Sequence, residues 1–355
     1  MSGLSAPAVL TRAALACTAL ACLALACAAP VGAQEDDGAA TPLFASDATI
    51  EVTITGPVRA IAKGAESSTA ARPATLAAAG ETHAITLAAR GKTRRQKDIC
   101  EFPPLRIAFP DKPDPQSLFH RQGSIKLVTH CRDNDRSEQT VLREFAAYRL
   151  YNRITPESLR VRLARITYVD GGTPLASRLG FFIEDVDDAA RRLGRSEVDV
   201  VKVPVAALDQ QDAARYALFQ YLIGNTDWAM AVGPPGERCC HNSRLVGDGS
   251  EARSGLTPIP YDFDNAGLVN ASYAVPNAQV GTRSVRQRVY RGLCRFNALV
   301  PAESERLRTL RAELEREVAA TPHASEKTRQ AMASYIDGFY KDIADLERKV
   351  LRNCR

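Results

Sequence analysis

The sequence has little of several features that would assign a function at once. It contains one Trp in 355 residues and a net charge of only +5. Because no dense Lys/Arg tract is interleaved with aromatic residues, nucleic-acid binding is not favoured. There is no Gly-x-Ser-x-Gly elbow, no His-Glu-x-x-His pair and no dinucleotide-binding glycine fingerprint. These absences argue against the hydrolases and dehydrogenases that carry those motifs.

Long apolar runs are also missing: no segment after residue 33 has the roughly 20 apolar residues of a membrane span. The first 33 residues are predicted to be a signal peptide. Arg12 precedes the apolar run 13–30, and Val31-Gly32-Ala33 offers small residues for cleavage. We therefore expect an exported protein, periplasmic or secreted. The alternative is a lipoprotein signal, with a lipid anchor at Cys27.

Three of the nine cysteines lie in that segment, which leaves six: Cys100, Cys131, Cys239, Cys240, Cys294 and Cys354. An even number in an exported protein favours disulfides. We expect Cys100 to bond Cys131, and Cys239 or Cys240 to bond Cys294. A zinc site at Cys239-Cys240-His241 is disfavoured, since zinc ligands usually come as spaced pairs and no second such pair exists.

The order of predicted elements indicates an α+β chain. Residues 34–47 are small, polar and acidic, and are expected to be a disordered tether. Residues 48–185 are predicted to form a strand-rich N-lobe with one helix. Residues 186–355 are predicted to form a mainly helical C-lobe that carries the metal and catalytic loops. A cleft is expected between the two lobes.

Strands are predicted where β-branched and apolar residues alternate: residues 49–55 with 83–88 as partner, 105–109, 124–128, 161–169 and 179–183. The low-complexity segment 60–80 is expected to be a poorly ordered loop. Asp187 or Asp188 is expected to cap a short helix that Gly194 closes. Longer helices are predicted over 138–152, over 209–223 with Gly224 as C-cap, and at about 302–319 and 325–350.

The helix at 138–152 carries a carboxylate on its apolar face. Val141, Phe145 and Tyr148 fall on one stripe, and Glu144 lies on the same stripe. Burial of an unpaired carboxylate is costly, so Glu144 needs a partner. Lys126, on the predicted strand 124–128, could be that partner. Local pairing of Glu144 with an arginine of its own helix is the alternative.

Three separated clusters place Asp and Asn directly after apolar segments: Asn225-Thr226-Asp227-Trp228, Cys239-Cys240-His241-Asn242 and Pro260-Tyr261-Asp262-Phe263-Asp264. Carboxylate and amide oxygens suit Mg²⁺ or Mn²⁺. Alternation with Tyr261 and Phe263 predicts both carboxylates of the last cluster on one side of an extended segment. There they would repel each other unless a cation joins them.

These clusters resemble those of the atypical protein-kinase-like superfamily, nearest the spore-coat (CotH-like) and HipA-type kinases. The resemblance covers roughly residues 100–300 and implies a bilobal protein-kinase-like fold that uses ATP with Mg²⁺ or Mn²⁺. It implies Asp227 as the residue that orients or deprotonates an acceptor hydroxyl. It further implies metal ligands and a cofactor-binding set: Asn242, Asp262 and Asp264 for the metal, and Lys126, Glu144 and Glu184 for the nucleotide.

Two features depart from the kinase pattern. Asp227 and Asn242 are fifteen residues apart, whereas a kinase catalytic loop separates its Asp and Asn by about five. We expect the insert 229–240 to be an excursion that returns Asn242 to the site. Secondly, no glycine-rich phosphate loop is present, and Gly123 before the Lys126 strand is the nearest substitute.

The sequence therefore predicts an exported phosphotransferase, or a nucleotidyl transferase, whose acceptor is an unknown protein or small-molecule hydroxyl. Two alternatives come from other classes. A disulfide-stabilised pseudokinase would bind a partner without turnover, which export favours because ATP is scarce beyond the inner membrane. A metal-dependent hydrolase would use the paired aspartates. Asp227 and Asn242 as plain turn residues are the structural alternative.

Overall fold

Seven strands of the first half of the chain form a closed barrel. The computed structural model describes residues 38–353. The strands are β1 (Ile50–Thr55), β2 (Arg72–Ala78), β3 (Glu81–Ala89), β4 (Leu105–Ala108), β5 (Ser124–Val128), β6 (Val161–Asp170) and β7 (Thr173–Ile183). They follow the order β1-β2-β3-β4-β5-β7-β6 around the barrel. Neighbours are antiparallel, except that β1 and β6 pair in parallel and close the ring.

The segment predicted to be a poorly ordered loop is part of this barrel, so that prediction is wrong. A short helix, α1 (Val58–Gly64), and strand β2 occupy most of residues 60–80. Leu76 is fully buried on β2, and ladder pairing on both sides outweighs the low β-propensity of its alanines. Because β2 intervenes, β1 pairs with β2 and β6 and not with β3, the predicted partner.

The tether prediction is wrong for the residues that the structure describes. Pro42–Phe44 form a 3₁₀-helix, with Leu43 and Phe44 buried against the barrel core. Arg162 donates a hydrogen bond to the carbonyl of Leu43 at 3.2 Å. The burial of Leu43 and Phe44 orders this segment, although its other residues are mostly small or polar. The predicted signal peptide and Cys27 lie outside the described residues.

The helix α2 (Asp135–Ile154) packs against the barrel. Asn134 caps its first turn by accepting a hydrogen bond from the Ser137 amide at 2.9 Å. Phe145 and Tyr148 are buried, as their spacing predicts, and both lie edge-on to Phe181 of β7. Glu144 is buried on the same stripe, at 3% exposure.

The second half of the described chain is mainly helical. It contains α3 (Val186–Arg192), α4 (Gln210–Ile223), α5 (Val300–Ala319) and α6 (Glu326–Asn353), with a small sheet of β8 (Ser196–Glu197), β9 (Ser243–Gly247) and β10 (Thr257–Pro260). Gly224 ends α4 in the left-handed conformation (φ 67°), as predicted. The cap of α3 is Asp185 and not the predicted Asp187 or Asp188.

The described residues therefore form a mixed α/β structure with one large sheet and six α-helices. They belong to a single compact unit, and the division into an N-lobe and a C-lobe at residue 185 stays a prediction. Within residues 38–353, no helix has the length and apolar character needed to cross a membrane.

The first expected disulfide is confirmed and the second is wrong. Cys100 and Cys131 are bonded, which ties the segment after β3 to the start of α2. Cys239 and Cys240 bond each other and therefore not Cys294. Both sulfurs, on the returning arm of their loop, lie close to the carbonyl oxygen of Met230 on its outgoing arm.

The buried His130 allows the packing beside the barrel to be tested through the pH dependence of folding stability. His130 is 2% exposed and stacks on Phe102 with 4.6 Å between ring centroids. Burial lowers the pKa of His130 to about 4. The unfolded chain, in which a histidine has a pKa of about 6.5, therefore binds this proton more readily between pH 4 and 6.5.

We expect folding stability to fall as the pH drops through that window, with His130 contributing a loss of about 3 kcal/mol. His130→Phe keeps a ring on Phe102 but cannot be protonated, so its stability should fall less steeply. Urea unfolding of both proteins at pH 7, 6, 5 and 4 measures the difference. Parallel pH profiles would contradict the assignment.

Candidate active site

Six of the seven candidate residues line one cavity of about 340 Å³ between the barrel and the loops that follow α4 and β10. Its lining contains two groups of polar side chains. The cationic wall is the group of basic residues: Arg90, Lys92, Arg94, Arg106, Lys126 and Arg244, of which Lys92 forms an ion pair with Glu237. The acidic wall is the group of carboxylates and amides: Glu144, Asp227, Asn242, Asp262, Asp264 and Asn265. The cavity thus has cationic donors for an anion and oxygen ligands for a cation.

The loop after α4 is fixed by its own side chains. The Asn225 carboxamide accepts a hydrogen bond from the Asp227 amide at 2.9 Å. The Trp228 indole donates to the Asn225 carbonyl at 3.0 Å and is 4% exposed. The only tryptophan therefore braces this loop and holds Asp227 at the edge of the cavity.

The insert between Asp227 and Asn242 is the expected excursion. The Ala229 amide donates to the His241 carbonyl at 2.9 Å, so the two arms leave and return side by side. Asn242 then donates its amide nitrogen to the Asp227 carbonyl at 2.8 Å and to the Asp227 Oδ2 at 3.2 Å. Fifteen residues of sequence separation are thereby reduced to hydrogen-bonding distance.

Asp227 is held as a carboxylate at neutral pH. Burial raises its pKa, but hydrogen bonds and charge from His241, with a further bond from Asn242, outweigh burial and lower the pKa below its usual range. His241 Nε2 lies 2.7 Å from Asp227 Oδ1, and this contact raises the pKa of His241. No role for His241 follows from the sequence, where it is only a neighbour of Asn242.

The predicted extended segment with two carboxylates on one side is wrong. Strand β10 ends at Pro260, and the backbone turns at Asp262 in the left-handed region (φ 62°). The Asp262 amide donates to the Tyr148 hydroxyl at 2.8 Å, which fixes that turn. Asp262 and Asp264 nevertheless line the same cavity. The turn is a tertiary effect, since its acceptor comes from α2.

Two of the carboxylates are strongly perturbed. Burial, followed by the charge of Asp262, raises the pKa of Asp264 to about 7. Burial, followed by the charges of Asp264 and Asp262, raises the pKa of Glu144 well above its usual range. Negative charge is therefore crowded and undercompensated on this wall. Perturbation by burial together with specific charges is typical of functional sites.

Arg94 is the cation that faces these carboxylates, and the predicted Lys126–Glu144 pair is wrong. Arg94 is 7% exposed. Burial lowers the pKa of Arg94, but the charges of Tyr273, Glu144, Asp264 and Asp262 outweigh burial and raise the pKa above its usual range. Among the ion pairs of residues 38–353, none joins Lys126 to Glu144. The carboxylate that raises the pKa of Lys126 is Asp185.

The alternative partners of Glu144 are also engaged elsewhere. Arg149 forms ion pairs with Asp47 and Glu317, and Arg143 donates to the Val269 carbonyl at 3.2 Å. Arg94 lies on the 3₁₀-helix Thr93–Arg95, far along the chain from Glu144. Nothing in its sequence surroundings marks it as a site residue.

Glu184 is placed differently from the other candidates. It is fully buried, forms an ion pair with Arg192 at 2.9 Å and accepts a hydrogen bond from the Arg160 amide at 2.9 Å. Of the candidate residues in the described chain, it is the one that does not line the cavity. Its carboxylate joins α3 to the start of β6, and its assignment to cofactor binding stays a prediction.

The acidic wall fits a divalent cation by donor chemistry. Within residues 38–353, no three His, Cys, Asp or Glu side chains are grouped to hold a metal. The candidate set combines the carboxylates of Asp262 and Asp264 with the Oδ1 atom of Asn242, whose nitrogen is engaged with Asp227. Oxygen donors of this kind suit Mg²⁺ and Mn²⁺, and a cation would relieve the crowding that raises the pKa of Asp264.

Comparison with known proteins adds little. No family model matches the chain, and no curated protein matches it. One of the solved structures that it is similar to is a Helicobacter pylori proinflammatory kinase CtkA, with 8% identity and a TM-score of 0.40. That similarity covers 71% of this chain and 92% of that one. Similarity at this level assigns neither family nor function.

The role of Arg94 as the counter-charge can be tested by stability. Arg94→Met would remove the buried cation beside Glu144 and Asp264 and its hydrogen bond to the Thr129 carbonyl, and we expect it to lower the free energy of unfolding by about 1.5–3 kcal/mol. Arg253→Gln is the control, because it removes only an exposed pair with Glu251 and should cost under about 1 kcal/mol. Equal losses in urea unfolding would contradict the role.

Proposed function

We propose that this protein is a phosphotransferase of kinase-like fold that uses ATP with Mg²⁺ or Mn²⁺ and transfers to a hydroxyl group; transfer of the nucleotidyl group is the close variant. The observation that carries the proposal is a single cavity lined by an ionised Asp227, by several cationic side chains and by several carboxylates. Those are the parts that phosphoryl transfer needs, since its catalysis is mainly positioning and charge stabilisation.

Asp227 is the residue assigned to the acceptor. Its carboxylate is ionised and is oriented by His241 and Asn242, so it can accept a hydrogen bond from a hydroxyl. It can then take the proton as the hydroxyl oxygen bonds to the γ-phosphorus and the bond from that phosphorus to the leaving ADP breaks. His241 restrains Asp227 through one oxygen, and the other oxygen faces the amides of Asn242 and Asn265. The nucleophile would be held in one orientation.

The other candidates would bind the phosphates. Asp262, Asp264 and Asn242 would hold a divalent cation, which would offset the negative charge of the phosphates when bound. Lys126 is half-buried on β5 and points its ammonium into the same cavity. Glu144 would influence phosphate binding through its charge interactions with Arg94 and Asp264, and not through an ion pair with Lys126.

We further propose that the chain is exported with residues 1–33 as its signal peptide, either free or anchored at Cys27. The Cys100–Cys131 disulfide supports an oxidising compartment. The acceptor is then an exported protein or a small molecule with a hydroxyl group.

A second candidate is a pseudokinase that binds a partner without turnover. It is favoured by Arg94, whose guanidinium already provides a positive charge to Glu144 and Asp264. An arginine can substitute for part of a metal's charge without providing its chemistry.

Asp227→Asn should separate catalysis from binding. The neutral amide cannot take the proton, so we expect transfer from radiolabelled ATP to fall about a hundredfold or more while ATP affinity is kept. Asp248→Asn, an exposed residue outside the cavity, is the matched control and should keep full activity. Unchanged transfer in Asp227→Asn would remove its assigned role.

Asp262→Ala tests the metal and nucleotide site in the absence of a known acceptor. At about 100 times its dissociation constant, ATP with Mg²⁺ should stabilise the wild-type protein by about 2.7 kcal/mol. We expect this shift in thermal unfolding to require the metal and to be lost in Asp262→Ala. No shift with any nucleotide in the wild-type protein would favour the pseudokinase candidate.

A further inference from the structure

We propose that Arg90, Arg106 and Arg244, together with Lys126, form a binding site for a chain of linked phosphates, in place of a glycine-rich loop. In naming the triphosphate of the nucleotide donor as the occupant, this inference rests on the proposed function. The role of the three arginines goes beyond the proposed function, because no sequence motif predicts it.

The register of the barrel brings two of the cations together. Arg106 on β4 lies directly opposite Lys126 on β5, so both side chains leave the same face of the sheet. Like charges in directly opposed positions destabilise a sheet. Arg90 follows β3 and is aligned beside them, since its amide donates to the Pro104 carbonyl at 2.9 Å. The fold thus keeps three positive charges at one edge of the barrel.

Arg244 approaches the same point from the second half of the chain. It lies on β9, and its guanidinium is 5.9 Å from the centre of the Tyr261 ring. The Lys126 ammonium is 5.3 Å from that same centre. The ring attracts both cations without neutralising either. The one carboxylate in an ion pair with Arg244, among the described residues, is Glu197 at 3.7 Å.

Hydrogen-bonding capacity is left over in this group. The Nε atoms of Arg90 and Arg244 are buried, and no partner for them occurs within the described residues. A buried donor without an acceptor is costly. Burial lowers the pKa of Lys126, and the charge of Asp185 raises it. The charges of Arg90, Arg244 and Arg106 lower it again, so the net shift is downward. Positive charge is therefore in excess here, and donors are available for the oxygens of an anion.

Phosphate fits this excess better than other anions. A guanidinium presents a planar fork of donors that matches two phosphate oxygens, and a chain of phosphates can contact several such forks at once. The cavity of about 340 Å³ is at the lower end of the size range for small-molecule sites. Glycine-rich loops bind phosphates by backbone amides, and here side chains would supply the donors.

Calorimetric titration of the full-length protein with inorganic tripolyphosphate, without metal, tests the site directly. We expect Arg90→Gln, Arg106→Gln and Arg244→Gln each to weaken binding about tenfold or more. Arg72→Gln is the matched control, since Arg72 is an exposed strand arginine of the same barrel outside the cavity. It should bind within about twofold of the wild-type protein.

Arg106 is exposed, so its substitution should leave the fold intact, and thermal unfolding checks this for every variant. Arg106→Lys keeps the charge but not the fork, and should bind with intermediate affinity. The proposal is overturned if the wild-type protein does not bind tripolyphosphate. It is equally overturned if the three cavity variants bind as well as Arg72→Gln, because the anion would then bind elsewhere.

Competition separates this inference from the proposed function. Tripolyphosphate should displace ATP, whereas adenosine should not displace tripolyphosphate. Loss of tripolyphosphate binding in the cavity variants of a protein that transfers no phosphate would support the site and refute the transferase. Transfer activity with unchanged KM for ATP in those variants would refute the site alone. Simultaneous binding of both ligands would overturn the nucleotide assignment.

Discussion

The burial of several carboxylates beside one buried arginine is the constraint on which the cavity depends. Glu144 comes from α2, Asp262 and Asp264 from the loop after β10, and Arg94 from a short turn after β3. Without Arg94, two distant segments would bring like charges together in a low-dielectric interior. The Cys100–Cys131 bond closes the same segment against α2. The charge interactions of Arg94 and the Cys100–Cys131 disulfide thus both stabilise the contact between the strands of the barrel and the helix α2.

Much of the fold could be predicted because local patterns were strong. Alternation located β5 to the residue, and the capped, periodic segments located α2 and α4 within three residues. The Trp228 brace and the excursion that returns Asn242 were also recoverable, since Asn, Asp and Gly carry specific turn chemistry. In each of these elements the information lies within a few neighbouring residues.

The failures came from contacts between distant segments. Strand β2 was missed because its alanines and threonines gain their strand conformation from β1 and β3, and Leu43 and Phe44 are ordered only by the barrel beneath them. Arg94 could not be chosen from the chain's many arginines. The position of Glu144 on an apolar stripe predicted that it needs a partner, but nothing local identified the cation, and the structure places Arg94 there.

Closure of the barrel by β1 and β6 has a consequence for how the chain reaches this structure. Ile50 pairs with Ala164, more than a hundred residues away, and the helix α2 lies between them. The ring cannot close until the loop entropy of that whole span has been overcome. High contact order of this kind slows folding, and during synthesis β1 must wait with an unpaired edge until β6 has emerged.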